Sequence, residues 1–209
     1  MIAIIDYGLG NVFSLSASLD HLGFANCVTA DAAQIRRAER IILPGVGAYG
    51  DAMQRLRASG LIPVLDEQVA AGKPLLGICL GMQLLFERGY EYGEHQGLGY
   101  LHGSICSLAD DLAACGASCK IPHMGWNSLH LVRPEHPLFR TTREGEFVYF
   151  VHSFYAKDCA ESLLASCDYG LPVAAACGSG NVCGCQFHPE KSGAAGLAML
   201  RSYLTAEIG

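Results

Sequence analysis

From Met1 to Glu87 the chain alternates short apolar runs with amphipathic stretches, and a turn signal separates each from the next. Ile2 to Ile5 reads as a buried strand. Asn11 is a helix N-cap, Val12, Leu15, Leu19 and Leu22 then share one helical face, and Gly23 ends the helix. Ala25 to Thr29 is a second strand, Asp31 caps a short helix, and Ile41 to Leu43 is a third strand. Pro44-Gly45-Val46-Gly47 is a sharp turn, followed by helical stretches over Asp51 to Ala58 and Leu61 to Ala71, with Gly72 as the stop. Leu75 to Ile78 is a fourth strand, and Gly81 to Glu87 starts another helix. Strands and helices alternating at this spacing leave one solution, a parallel sheet covered by helices on both faces.

The second half changes character. Lys120 to Pro122, Ser128 to Val132, Phe147 to Val151 and Leu163 to Cys167 read as short strands. Val173 to Cys177 and Val182 to Phe187 flank Gly178-Ser179-Gly180-Asn181, a hairpin signal. A last helix spans Ala194 to Leu204. The expected architecture is an α/β fold with a central, mostly parallel mixed sheet. At 209 residues, 51% hydrophobic and 16% charged, the chain suits one domain over 1–209, and the composition excludes a disordered chain.

A formal charge of −6 and the lack of a basic block argue against nucleic-acid binding. No apolar run reaches the ~18 residues of a membrane span. Met1-Ile2-Ala3-Ile4-Ile5-Asp6 meets an acid too early for a signal peptide, so a cytoplasmic location is expected. The ten cysteines then read mainly as small buried hydrophobes rather than disulfides. Cys115, Cys119 and His123 have the spacing of ligands on one helical face, but Pro122 breaks such a helix, and no metal is expected.

The chemistry concentrates in two segments. Gly77-Ile78-Cys79-Leu80-Gly81 lies between a strand and a helix, the setting of a nucleophile elbow with cysteine as nucleophile. Flanking glycines suit a tight turn with a strained central residue; a buried cysteine with glycines for packing is the structural alternative. A nucleophilic thiol needs a base, and the base an orienting group. His188-Pro189-Glu190 offers both, because positions two apart in an extended segment point the same way. Among the other histidines, His152 stands out at a strand end. The Pro44 to Gly47 turn follows a parallel strand and could offer backbone N–H groups to an oxyanion; it matches neither common nucleotide-binding loop.

Cys79-Leu80-Gly81-Met82-Gln83 together with His188-Pro189-Glu190 resembles the class I (triad) glutamine amidotransferases. Five further blocks narrow the resemblance. Asp6-Tyr7-Gly8-Leu9-Gly10-Asn11, Pro44 to Gly47, Lys120 to Asn127, His152-Ser153-Phe154-Tyr155 and His188 to Ser192 are similar to the glutaminase subunit of imidazole glycerol phosphate synthase. The resemblance implies the class I glutamine amidotransferase (flavodoxin-like) fold over the whole chain.

The same resemblance implies the roles. Cys79 would attack the side-chain amide of L-glutamine, His188 would shuttle protons, and Glu190 would orient His188. The N–H groups of Leu80 and Val46 would bind the oxyanion, the latter after a peptide rearrangement. Gly47, Gln83, Glu91, Ser153 and Phe154 would hold glutamine, with no cofactor. Ammonia would pass to a (β/α)8-barrel synthase subunit that makes imidazole glycerol phosphate and aminoimidazole carboxamide ribotide in histidine biosynthesis. Asn11, Met124, Trp126 and Lys191 would face that partner in a heterodimer. The alternative that the resemblance leaves open is a paralogous amidotransferase subunit feeding a related synthase in surface-polysaccharide sugar modification. The alanine- and cysteine-rich stretch Asp110 to Cys119 has no role in either reading.

Overall fold

The computed structural model describes residues 1–207. The first half runs β1 (Ile2–Ile5), α1 (Val12–His21), β2 (Asn26–Thr29), α2 (Ala32–Arg37), β3 (Arg40–Leu43), α3 (Tyr49–Ala58), α4 (Ile62–Ala70), β4 (Leu75–Ile78) and α5 (Leu80–Leu84). The second half is richer in strands: β5 (Phe86–Gly89), β6 (His95–Gln96), β7 (Leu101–Ser107), α6 (Leu108–Ala114), β8 (His123–Ser128), β9 (His130–Leu131), β10 (Phe147–His152), β11 (Phe154–Lys157), β12 (Leu163–Asp168), β13 (Pro172–Ser179), β14 (Val182–Cys185) and α7 (Gly193–Thr205).

The central sheet has eight strands in the order β2-β1-β3-β4-β14-β13-β12-β9. Its first five are mutually parallel, and β13, β12 and β9 extend it antiparallel. Successive residues of one strand feed different cores. Ile2 and Ile4 pack with Leu15 and Leu19 of α1 and Met199 and Leu200 of α7. Ala3 and Ile5 pack with Ile35, Met53, Leu56 and Leu65 of α2, α3 and α4 on the opposite face. A sheet buried on both faces needs such unbroken apolar strands, which is why Ile2–Ile5 carries no polar residue.

Two smaller sheets complete the fold, β10-β8 and β11-β7-β5-β6. They correct three expectations. The helix after Cys79 ends at Leu84, and Phe86–Gly89 is a strand, its carbonyl and N–H groups drawn into pairing with β7 and β6. Lys120 to Pro122 is not a strand; pairing starts at His123, since Pro122 has no N–H to donate to a ladder. Ser128 to Val132 is divided between β8 and the two-residue β9.

Six cysteines, Cys79, Cys159, Cys167, Cys177, Cys183 and Cys185, are buried and all ten are free thiols; Cys115 is exposed. Burial pushes the Cys167 and Cys183 thiols up to about 12, as for inert core groups. Among the described residues no three His, Cys, Asp or Glu side chains cluster as metal ligands, and no helix is long and apolar enough to cross a membrane.

Candidate active site

The carboxyl ends of β3 and β4, the start of α5 and the segment after β14 converge on one cleft of about 370 Å³. Parallel sheets open such crevices where strand direction and order change. Cys79 sits at the strand-to-helix corner with φ +54° and ψ −114°, a strained conformation for a side-chain-bearing residue. The turn is possible because its flanks lack side chains. A Cβ on Gly77 would lie 2.7 Å from the Gly81 oxygen and the Met82 backbone, and one on Gly81 would lie 1.8 Å from the Leu43 oxygen. Strain at Cys79 together with this packing makes the corner a tight strand-to-helix elbow.

His188 follows β14, two residues beyond Gln186. Its backbone N–H donates to the Tyr149 oxygen over 2.9 Å, and the Ser192 hydroxyl donates to its carbonyl over 2.6 Å. Its Nδ1 lies 2.8 Å from Glu190 Oε1, with both side chains only 3% exposed. A carboxylate accepts there, so Nδ1 carries the proton and Nε2 is the exchangeable nitrogen. Burial pulls the imidazolium pKa down, but hydrogen bonding to Cys79 and Glu190 and their charges outweigh it and push the pKa to about 9.

The cleft is lined by Val46, Gly47, Cys79, Leu80, Gln83, Glu91, Ser153, Phe154, His188 and Lys191. Glu190 stands behind His188, where it shares a small adjoining cavity with Asn11 and the Pro44 to Val46 turn. Gly47 has φ +100°, which glycine adopts without cost, and Val46 is exposed beside it. The turn is pressed onto α5, since a Cβ on Gly45 would lie 2.8 Å from the Gly81 nitrogen. Glu91 is held by the Tyr49 N–H, which donates to its Oε2 over 2.7 Å.

The four expected partner-facing residues do not all meet in the cleft. Lys191 lines its rim. Asn11 caps α1 through Ser14 N–H, 3.4 Å away. Met124 and Trp126 lie outside it on β8, 60% and 55% exposed, so the single tryptophan is not a core residue.

Three contributors escaped the sequence reading. Gln186 is fully buried and donates from Nε2 to the Cys79 sulfur over 3.8 Å; its spacing from His188 was the available signal. The Tyr7 hydroxyl donates to the Pro44 oxygen over 2.9 Å and braces the glycine turn. The Val151 carbonyl accepts from the Cys79 thiol over 3.8 Å.

Comparison with known proteins places the chain in a family. The family model for glutamine amidotransferase class-I matches residues 3–205. Imidazole glycerol phosphate synthase subunit HisH of Oceanobacillus iheyensis is 48% identical over 204 residues, spanning 97% of this chain and 98% of that protein. The HisH subunit of Bacillus cereus strain G9842 is 49% identical, spanning 97% and 93%. Among solved structures, one described as a glutamine amidotransferase superposes with TM-score 0.73 at 18% identity, covering 98% of this chain and all of that one. PurLQS from Thermotoga maritima gives 0.71 at 22%, covering 97% and 96%. The match over nearly the whole chain shows that it belongs to the class I glutamine amidotransferases and, within them, to the HisH family.

Proposed function

We propose that this chain, working as a single domain in the cytoplasm, is the glutaminase subunit of an imidazole glycerol phosphate synthase. The observation that carries the reading is the buried His188–Glu190 pair, 2.8 Å apart, in the same cleft as the strained Cys79. The names of full-length relatives at 48–49% identity support the pathway assignment.

Cys79 Sγ attacks the side-chain amide carbon of L-glutamine with its proton already held on His188 Nε2, as the raised pKa of that ring favours. The tetrahedral oxyanion lies against the N–H groups of Leu80 and Val46, each worth about 3 kcal/mol of barrier when correctly placed. His188 returns the proton to the departing ammonia, leaving a γ-glutamyl thioester. A water activated by His188 then hydrolyses it to glutamate and the free thiol. Gly47, Gln83, Glu91, Ser153 and Phe154 hold the glutamine. Both N–H groups of Gln83 are engaged by Phe154 and Gln186 oxygens, so its own oxygen is the acceptor left for substrate.

Ammonia released to water is protonated and lost to diffusion. The reading therefore includes a (β/α)8-barrel synthase subunit docked over Asn11, Met124, Trp126 and Lys191, which receives ammonia directly and forms imidazole glycerol phosphate and aminoimidazole carboxamide ribotide. The test is glutamate release from glutamine by this chain alone, then with a barrel synthase subunit and its ribotide. Strong stimulation by the liganded partner is expected. No release with or without the partner would overturn the glutaminase reading.

A further inference from the structure

His123 and His152 are direct cross-strand partners where β8 and β10 pair. Both are buried, at 2% and 6% exposure, and neither has a role in the reaction described above. His123 is packed between the rings of Phe150 and Tyr169, at centroid distances of 4.7 and 4.0 Å. Its Nδ1 lies 2.9 Å from His152 Nε2, and His152 Nδ1 lies 2.9 Å from the Phe154 carbonyl. On the far side Asn127 Nδ2 lies 3.3 Å from His123 Nε2.

The protons in this chain are fixed by its two ends. The Phe154 carbonyl can only accept, so His152 carries its proton on Nδ1 and accepts at Nε2. His123 must then donate from Nδ1 and accept at Nε2. Asn127 is independently oriented to donate, because its Oδ1 accepts from Ser128 N–H over 2.8 Å and its Nδ2 also donates to the Asp168 carbonyl over 2.8 Å. One tautomer satisfies every bond. Burial pulls His123 to about 4 and His152 to about 3, so both rings stay neutral at ordinary pH.

The chain of bonds continues to the nucleophile. The Phe154 carbonyl also accepts from Gln83 Nε2 over 3.0 Å, Gln83 donates to Gln186 Oε1 over 2.9 Å, and Gln186 donates to Cys79 Sγ over 3.8 Å. The other end lies on β8, whose exposed residues are Met124 and Trp126.

We infer that His123 and His152 are positioning residues of the glutaminase reaction, a relay of fixed tautomer that holds the Phe154 carbonyl, Gln83 and Gln186 against Cys79 in register with the strand bearing Met124 and Trp126. The inference rests on the glutaminase reading. Because β8 carries both His123 and the exposed Met124–Trp126 surface, a load on that surface reaches the glutamine subsite through hydrogen bonds rather than through loose packing.

Two measurements test it. In the ¹⁵N-histidine-labelled chain at neutral pH, His123 and His152 are expected as Nδ1–H tautomers, assigned by their loss in His123→Phe and His152→Phe. An Nε2–H tautomer at either ring overturns the relay. In the complex with the barrel subunit, His123→Phe keeps the stack between Phe150 and Tyr169 but donates nothing. Its KM for glutamine is expected to rise roughly tenfold and stimulation by the partner to fall, as for loss of one buried hydrogen bond. His123→Asn puts an amide N–H near the place of Nδ1 and is expected to restore most of both. Unchanged KM and stimulation in His123→Phe, or no rescue by His123→Asn, overturns the inference. If His123→Phe does not fold, the tautomers decide alone. A wild-type complex that releases no glutamate sinks the glutaminase reading instead, while the tautomers still report on the relay.

Discussion

Gly81 approaches the Leu43 carbonyl so closely that a Cβ on it would stand 1.8 Å from that oxygen. Both partners are backbone, one at the start of α5 and one at the end of β3, so neither can rotate away. The elbow that lifts Cys79 into the cleft therefore depends on the missing methyl group. Gly81→Ala is expected to cost at least about 3 kcal/mol or prevent folding, as overpacking against backbone does. Gly72, with φ +81° and nothing within 4 Å of its Cβ, bears only the conformational cost of an alanine there, about 1 kcal/mol. Thermal unfolding of the two variants gives the contrast; equal stabilities would show that the elbow tolerates a side chain.

Cys79→Ser is expected to abolish glutamine-dependent turnover in the complex and to leave ammonia-dependent turnover by the synthase intact. The thiol serves only the amidase steps, and a neutral hydroxyl is a far weaker nucleophile. Turnover assayed with glutamine and then with an ammonium salt separates the two. Loss of both would mean the substitution had damaged the complex.

Glu190→Gln should lower the His188 pKa from about 9 and slow glutamate release roughly 10²- to 10⁴-fold by loosening the tautomer. A histidine raised from 6.5 to about 9 on folding stabilises the chain fully below pH 6.5, and that contribution is lost as pH rises through 9. Unfolding curves from pH 6 to 10 should fall for the wild type and flatten for Glu190→Gln. Parallel curves would remove Glu190 from the coupling.

His123 shifts the other way. Its pKa drops from 6.5 to about 4 on burial, so the unfolded chain binds the proton more readily. Its contribution is complete above pH 6.5 and is lost as pH falls toward 4. The loss approaches roughly 3 kcal/mol. His123→Phe should lose less stability than the wild type between pH 6.5 and 4, which subtracts the carboxylates common to both.

Trp126→Ala is expected to weaken the barrel complex at least tenfold, as loss of an aromatic anchor does. The isolated chain should lose under about 1 kcal/mol, because the indole is 55% exposed and touches Tyr149 only edge-on at 6.2 Å. Titration calorimetry and thermal unfolding of the same variant check both. A large fall in melting temperature would make the indole structural.

The parallel half of the fold was legible in the sequence because its signals are local. Apolar runs such as Ile2–Ile5 and the stepped face of Val12, Leu15 and Leu19 declare strand and helix within a few residues. Cys79, with glycines at 77 and 81, and His188 with Glu190 two residues on, were equally local patterns. Phe86–Gly89 and the two-residue strand His95–Gln96 were not, since such short pieces take their identity from the strand they pair with. The same limit applies to the site. Gln186 meets Cys79 across 107 positions, and His123 meets His152 across 29. Sequence alone determined which side chains could do chemistry and which backbone turns could present them. Only the tertiary structure decided which buried polar groups face one another, because that depends on strand order and register, set by packing of the whole core rather than by any residue's neighbours in the chain.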